Sequence, residues 1–337
     1  MKFYLPDELN AKMPPERRGI RRDHVRLLVL HKDTGTIDHT NFSLLDQYLN
    51  KGDLIVVNSS RTVPAVLKGI REGENREIEV RLAHRKNNNI WEALIVGEEL
   101  KTGESIRFSS QLTASVVQSD PHKPFVTLQF NLCCSALYNQ IYRIGEPVRY
   151  EYINEPWGLD YYQTVFGINP GSVEMPSAGR AFSWELLFRL QRKGINITHL
   201  QLHTGLSYLM DDKWNLGPRE NYEEYEISQE TVDAIIRTKA EGGKVIAVGT
   251  TVVRALETAI NKFGKVEANK GWTNLYISSS TKLQVVDGLI TGLHEPEASH
   301  LDLLTAFVDQ NLLYNTYQEA IELKYLWHEF GDMNLIL

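Results

Sequence analysis

Val245-Ile246-Ala247-Val248-Gly249-Thr250-Thr251-Val252-Val253-Arg254 passes from four consecutive apolar residues through a glycine and two hydroxyls into a second apolar run. The first four residues read as a buried strand. Residues 252–262 read as a helix, so Gly249-Thr250-Thr251 is a strand-to-helix turn. Free backbone N–H groups and the positive end of a helix dipole gather at such a turn, and Arg254 lies one helical turn further on. An anion or a carboxylate suits that place. An ordinary capped turn reads the same from this stretch alone, so the flanking sequence has to decide.

Upstream, Ser228 can cap a helix through Val232, Ile235 and Ile236 that ends at Glu241-Gly242-Gly243. Before it, Ser183 can cap a helix whose Leu186, Leu187 and Leu190 share one face, ending at Lys193-Gly194, and residues 195–202 alternate as a strand. Near the amino end, Val25-Arg26-Leu27-Leu28-Val29-Leu30 reads as a strand and Asp33-Thr34-Gly35 as a turn. Residues 42–49 then read as a short amphipathic helix, and Lys51-Gly52-Asp53 turns into the apolar run Leu54-Ile55-Val56-Val57. Strands alternating with helices indicate an α/β fold. Between residues 64 and 130 the texture changes to short alternating segments, among them Ile78-Glu79-Val80-Arg81-Leu82 and Phe125-Val126-Thr127-Leu128-Gln129-Phe130. Turn formers such as Asn87-Asn88-Asn89 and Thr102-Gly103 separate them. That spacing predicts a small barrel or sandwich inserted in the α/β fold, followed by an aromatic, proline-containing linker over residues 145–162.

The chain has 337 residues, of which 42% are hydrophobic, enough for two folded domains. No stretch approaches the ~18 apolar residues of a membrane span, and Met1-Lys2-Phe3-Tyr4-Leu5-Pro6 leads into charge, so a soluble cytoplasmic protein is expected. Cys133 and Cys134 are adjacent, which suits neither a long-range disulfide nor a zinc site. The net charge of -7 lies wholly beyond residue 290, where eight acids face a single base, Lys324. Residues 12–26 are locally basic: Lys12, Arg17, Arg18, Arg21, Arg22 and Arg26 outnumber Glu16 and Asp23. Such a patch is either a solvated face or a contact for nucleic-acid phosphates.

Other stretches carry chemistry. In Val57-Asn58-Ser59-Ser60-Arg61, polar groups follow a strand directly, and Arg61 can pair with a substrate anion or with an acid at the domain junction. Gly171-Ser172-Val173-Glu174-Met175-Pro176-Ser177-Ala178-Gly179 has the small residues that let a backbone approach a ligand, or it is a plain loop. His203 lies just past a strand and His294 in a turn, both suited to acid–base work, although a lone histidine is more often structural. Glu223, in Asn221-Tyr222-Glu223-Glu224-Tyr225, is most simply a solvated acid.

In this order the segments resemble the S-adenosylmethionine:tRNA ribosyltransferase-isomerase family of the queuosine pathway, over nearly the whole chain. The resemblance rests on Tyr4-Leu5-Pro6-Asp7-Glu8-Leu9, on Gly52-Asp53-Leu54-Ile55-Val56-Val57-Asn58 with Arg61 and Pro64-Ala65, and on Tyr162-Gln163-Thr164-Val165-Phe166. It continues through Gly171-Ser172-Val173, Pro176-Ser177-Ala178-Gly179, Leu202-His203, Ala247 to Arg254, Trp272-Thr273 and Val286-Asp287 to His294. It implies an α/β/α sandwich domain made of residues 1–63 and 145–337, with a small antiparallel β-barrel domain, residues 64–144, inserted in it. It implies transfer of the ribosyl part of S-adenosylmethionine to an aminomethyl-deazaguanine in tRNA, with rearrangement to an epoxycyclopentanediol and loss of adenine and methionine.

Such a reaction asks for a base beside the sulfonium, an acid for the departing adenine and a clamp for the methionine carboxylate. It calls for no metal and no prosthetic group; S-adenosylmethionine is a co-substrate. The resemblance implies His203, Glu223 and His294 as catalytic residues. It implies Asn58, Arg61, Tyr162, Gln163, Ser172, Ser177, Gly249, Thr250, Thr251 and Arg254 as substrate-binding residues, and Arg17, Arg18, Arg21 and Arg22 as tRNA contacts. A monomer with no membrane partner is expected. The chain departs from the family pattern where family histidines are replaced by Ala181, Pro218 and Asn221. Those departures leave two other readings: a transferase or lyase of the same fold with a non-tRNA acceptor, and a non-catalytic RNA-binding module.

Overall fold

The computed structural model describes residues 1–207, 217, 219–261 and 263–337; the expectations that touch Pro218 and Lys262 fall outside the described residues. The strand of the opening stretch is Val245–Val248, buried throughout. Among the described residues it lies at the centre of a nine-stranded sheet. Across that sheet run Asn269–Thr273, Glu223–Ile227, Asn196–Leu202, Leu54–Asn58, Val245–Val248, Gly288–Gly292, Met333–Ile336, Arg26–Leu30 and Ile37–Asn41. The four strands from 196–202 to 288–292 are parallel, and antiparallel pairs complete both edges.

Parallel strands are stable when both faces are covered, which requires apolar residues on both sides. Leu54, Val56, Val245 and Ala247 enter one core, while Ile55, Val57, Ile246 and Val248 enter the other. Helices Gln229–Ala240, Thr250–Thr258 and Gln310–Glu322 cover the first face, and Trp184–Lys193 the second. The local signals explain these boundaries. Ser183 Oγ accepts the Leu186 N–H at 3.1 Å, and Gly194, at φ 86°, ends that helix in the left-handed conformation an L side chain avoids.

The insert is a closed barrel of strands Val66–Arg71, Arg76–Arg85, Ile90–Ile95, Ser105–Arg107, Thr113–Gln118 and Val126–Phe130, paired antiparallel throughout. Trp91, Leu82, Val80, Ile106 and Phe130 fill it. A Cβ at Gly69 would stand 2.6 Å from Ile106 Cγ2, so closure depends on that glycine. The insert's two ends meet side by side, where Val66 and Glu146 exchange backbone hydrogen bonds of 2.9 Å.

Some elements differ from expectation. Residues 42–49 are expected as an α-helix, but the chain forms a 3-10 helix, Phe42–Gln47. Its buried Phe42 and Leu45 are three apart, the repeat of that tighter helix. The helix opened by Gly249 ends at Thr258, because Ile260 pairs with Val266 across a turn containing Gly264 at φ 75°. An α-helix, Cys134–Ile144, follows the last barrel strand; it buries Leu137 and Ile141, too narrow a stripe to stand out in the sequence. No helix among the described residues is long and apolar enough to cross a membrane.

Candidate active site

Open α/β sheets bind ligands at the carboxyl ends of their parallel strands. There, past Leu202, Val248 and Gly292, lies a cavity of about 720 Å³, within the range of small-molecule sites. Gly249, Thr250, Thr251 and Arg254 line one part of it, with Ser177, Ala178 and Glu223. The first N–H groups of a helix lack intrahelical acceptors, so helix Thr250–Thr258 turns its positive end to this space. Gly249 makes the entry possible at φ 94°, and a Cβ there would stand 3.3 Å from Ala178 Cβ. Arg254 donates from Nη1 to Glu223 and from Nε to the Leu275 carbonyl at 3.1 Å. Glu223 is 5% exposed and therefore a buried partner, not the solvated acid of the simplest sequence reading.

His294 forms another wall. Its Nε2 is 2.8 Å from Thr291 Oγ1, its backbone N–H donates to the Tyr317 hydroxyl at 3.3 Å, and His300 stacks on its ring with centroids 4.8 Å apart. Burial first, then the neighbouring imidazoles of His300 and His328, push His294 well below the usual histidine range, so its ring is neutral at pH 7. In the tautomer that donates from Nε2 to Thr291, Nδ1 keeps the lone pair a base requires.

Facing these is a group assembled from four distant segments: Tyr150, Tyr152, Glu174, Ser207, His328 and Glu329. Tyr150, Tyr152 and His328 stack in a row, with centroid separations of 5.7 and 4.1 Å. Tyr150 donates to Glu174 at 2.9 Å, and Glu174 also accepts from Ser207 N and Oγ, each at 2.7 Å. Tyr152 donates to Glu329 Oε2. Burial pushes Glu329 up to about 7; the Tyr152 hydrogen bond opposes that rise, and the carboxylates of Glu174 and Glu295 add to it. Burial also holds His328 down at about 4, with Nε2 2.8 Å from Asn10 Oδ1. This group went unseen in the sequence. Its available signal was the aromatic cluster Tyr150-Glu151-Tyr152, within the segment read as a linker; the chain turns there, with the Ile153 N–H donating to the Tyr150 carbonyl at 3.0 Å.

Of the residues singled out in the sequence, Tyr162, Ser177, Glu223, Gly249, Thr250, Thr251, Arg254 and His294 line the cavity, while Asn58, Arg61, Gln163, Ser172 and His203 do not. The side chains of Asn58, Gln163, Ser172 and His203 tie chain crossings together. Asn58 brackets Leu202, accepting its N–H at 3.0 Å and donating to its carbonyl at 2.8 Å. Gln163 pairs with both backbone groups of Thr62. Ser172 Oγ lies 2.6 Å from Ser60 Oγ, and Ser60 Oγ lies 2.7 Å from His203 Nδ1. His203 Nε2 meets Gln201 at 2.9 Å, so both ring nitrogens are engaged, and burial pushes the ring down to about 4. A Cβ at Gly171 would stand 2.4 Å from that ring. The crevice beside it measures about 10 Å³, room for about one water. Arg61 is exposed on its strand, Ser60–Thr62. Ala181, which stands in place of a family histidine, is buried in the apolar core under helix Trp184–Lys193, and Asn221 Oδ1 accepts from His84 Nε2 at 2.9 Å.

The basic patch divides in two. Arg18 donates to the Phe330 carbonyl at 2.8 Å, and Arg22 donates to Glu16 and to the Gln163 carbonyl, so both are built into the fold. Arg17 lies over the rings of Trp157 and Tyr161, at 5.8 and 5.3 Å, and Arg21 is half exposed beside Asp23 and Glu185.

The chain is similar to known proteins over its whole length. The family model described as "Queuosine biosynthesis protein" matches residues 1–336. Curated relatives named S-adenosylmethionine:tRNA ribosyltransferase-isomerase include one from Carboxydothermus hydrogenoformans, 37% identical over 99% of this chain and 98% of its own length. Another, from Clostridium kluyveri, is 38% identical with the same coverage. Among solved structures, the S-adenosylmethionine tRNA ribosyltransferase of Thermotoga maritima superposes with a TM-score of 0.57 at 29% identity, covering 99% of both chains. With motif order, sheet and inserted barrel all in agreement, the chain belongs to the queuosine biosynthesis protein family.

Proposed function

We propose that this protein transfers the ribosyl moiety of S-adenosylmethionine to a modified deazaguanine base in tRNA and isomerises it, releasing adenine and methionine. The observation that carries this reading is the cavity itself. One opening at the carboxyl ends of the parallel strands holds a helix amino terminus and a neutral, half-buried histidine. The methionine carboxylate takes the helix N–H groups of Thr250 and Thr251, with Arg254 beneath it. Glu223 holds Arg254 in place, a positioning role in this reading because its carboxylate is committed to the guanidinium. His294 removes the proton beside the sulfonium, whose positive charge acidifies that C–H bond. His203 stiffens the seam next to the barrel. S-adenosylmethionine is the co-substrate, and the reading requires no prosthetic group.

tRNA meets the protein through the exposed Arg17 and Arg21, and a reaction on tRNA belongs in the cytoplasm. The separate apolar cores of sheet and barrel support a division into residues 1–63 with 145–337 and residues 64–144. The test is to incubate the pure protein with S-adenosylmethionine, with and without precursor-bearing tRNA, and follow adenine by chromatography. Release that depends on tRNA is expected. Release independent of tRNA, or none, overturns the reading.

A further inference from the structure

Ribosyl transfer from S-adenosylmethionine requires a proton for the departing adenine as well as a base, and the carboxyl groups of the cavity are not equivalent candidates. Glu223 is committed to Arg254. Glu174 accepts three hydrogen bonds, as a carboxylate does. Glu295 and Glu297 are largely exposed, the first 3.1 Å from His328 and the second 3.1 Å from Lys2. Glu329 differs from all of them. Its Oε2 accepts from Tyr152, whereas its Oε1 is closed to solvent and has no hydrogen-bond partner among the described residues. An ionised oxygen in such a place carries a desolvation cost that a protonated carboxyl avoids, and Glu329 is part of the cavity wall.

We propose that Glu329, held by Tyr152, is the catalytic acid that protonates the departing adenine, working across the cavity from the proton-accepting His294. This deepens the ribosyl-transfer reading and rests on it. In the step, the glycosidic C–N bond breaks and its electron pair leaves with adenine. The Glu329 proton moves to an adenine ring nitrogen, and a lone pair of the ribose oxygen satisfies the carbon left behind. Glu329 recovers its proton from water after adenine departs. The surroundings favour this division of labour, because burial moves the two groups apart in the useful directions, His294 downward and Glu329 up to about 7. The groups facing Glu329 are Tyr150, Tyr152 and Tyr162 from the segment that follows the barrel, Glu174 from the small-residue loop, Glu295 from the turn after Gly292, and the adjacent His328. Arg149 bears on it through Tyr162.

The experiment compares wild type with Glu329→Gln and Tyr152→Phe in tRNA-dependent adenine release across pH. Gln keeps an acceptor for Tyr152 but has no proton to give. In Glu329→Gln, kcat should fall about 10²-fold or more while KM for S-adenosylmethionine stays within about threefold. Wild-type activity should decline as pH rises through about 7, because the acid is then deprotonated. That decline should vanish in Glu329→Gln. Tyr152→Phe removes a hydrogen bond that favours the charged form, so its decline should move to higher pH.

A readout independent of turnover is the infrared band of a protonated carboxyl, present in wild type near pH 6, bleached near pH 8 and missing from Glu329→Gln, as a group titrating near 7 requires. Unchanged turnover in Glu329→Gln, an alkaline decline that persists in it, or a wild type without the band overturns the proposal. Where Glu329→Gln does not fold, Tyr152→Phe and the band decide. A wild type that releases no adenine with tRNA present fails at the ribosyl-transfer reading instead, and the band then reports on Glu329 by itself.

Discussion

His203 and His294 occupy comparable places, each just beyond the end of a parallel sheet strand, and burial lowers the proton affinity of both. What surrounds them differs. His203 has both nitrogens engaged, Gly171 against its ring and space beside it for about one water. His294 has one nitrogen bound by Thr291 and stands on a cavity large enough for a nucleoside. A depressed histidine is thus equally the mark of a well-fastened seam and of a general base, and access to an open volume separates the two.

The sharpest way to break that contrast is to truncate each ring. His294→Ala should lower adenine release by about 10²-fold or more while S-adenosylmethionine binding, read by calorimetry, stays nearly intact. His203→Ala should leave turnover per folded molecule almost unaltered; a loss as large as that of His294→Ala would erase the distinction. Next in size, Arg254→Ala should weaken S-adenosylmethionine binding by roughly 1.5 to 3 kcal/mol, the worth of a charge-assisted hydrogen bond, and strand Glu223. Wild-type affinity in that variant would remove the anion-binding wall from the site.

His203→Ala itself should cost about 1 to 3 kcal/mol of stability by leaving buried partners unpaired, which urea titration measures. Its pH signature has a definite sign. The folded ring binds its proton near 4 and the unfolded ring near 6.5, so wild-type stability is full above 6.5 and lost as pH falls toward 4. The variant should show a shallower acid loss, and identical slopes would contradict the assignment. The smallest effect concerns tRNA. Arg17→Glu should reduce affinity modestly and lower the salt slope by about one, whereas Arg18→Ala should act on stability instead. Equal effects on tRNA from both would return the patch to a single undivided face.

The wall of Gly249, Thr250, Thr251 and Arg254 was readable because its parts are contiguous: strand, glycine, two hydroxyls and an arginine one turn on, all set by local backbone geometry. The sheet was readable for a related reason, since strands such as Leu54–Asn58 are apolar on both sides and announce burial without reference to their neighbours. The wall of Tyr150, Tyr152, Glu174 and Glu329 has no such signature. Its members come from separate segments, and an acid's protonation depends on partners that only the folded chain brings up. The polar residues where the chain enters and leaves the barrel show the converse. Asn58, Ser60 and Gln163 have the composition of a ligand site but are used where the chain crosses into the barrel and back.

The meeting of Val66 with Glu146 also bears on the order in which the molecule assembles. The barrel pairs strands that all lie between residues 66 and 130, so its loops are shorter than those the sheet must close. The central sheet strand Leu54–Asn58 has both its neighbours, Asn196–Leu202 and Val245–Val248, beyond the whole insert. Loop-closure entropy therefore delays the sheet, and the early barrel shortens that delay by drawing residues 66 and 146 together. Pulse-labelled hydrogen exchange during refolding should find barrel amides protected before those of residues 54–58; the reverse order would mean that the sheet nucleates first and the insert condenses onto it.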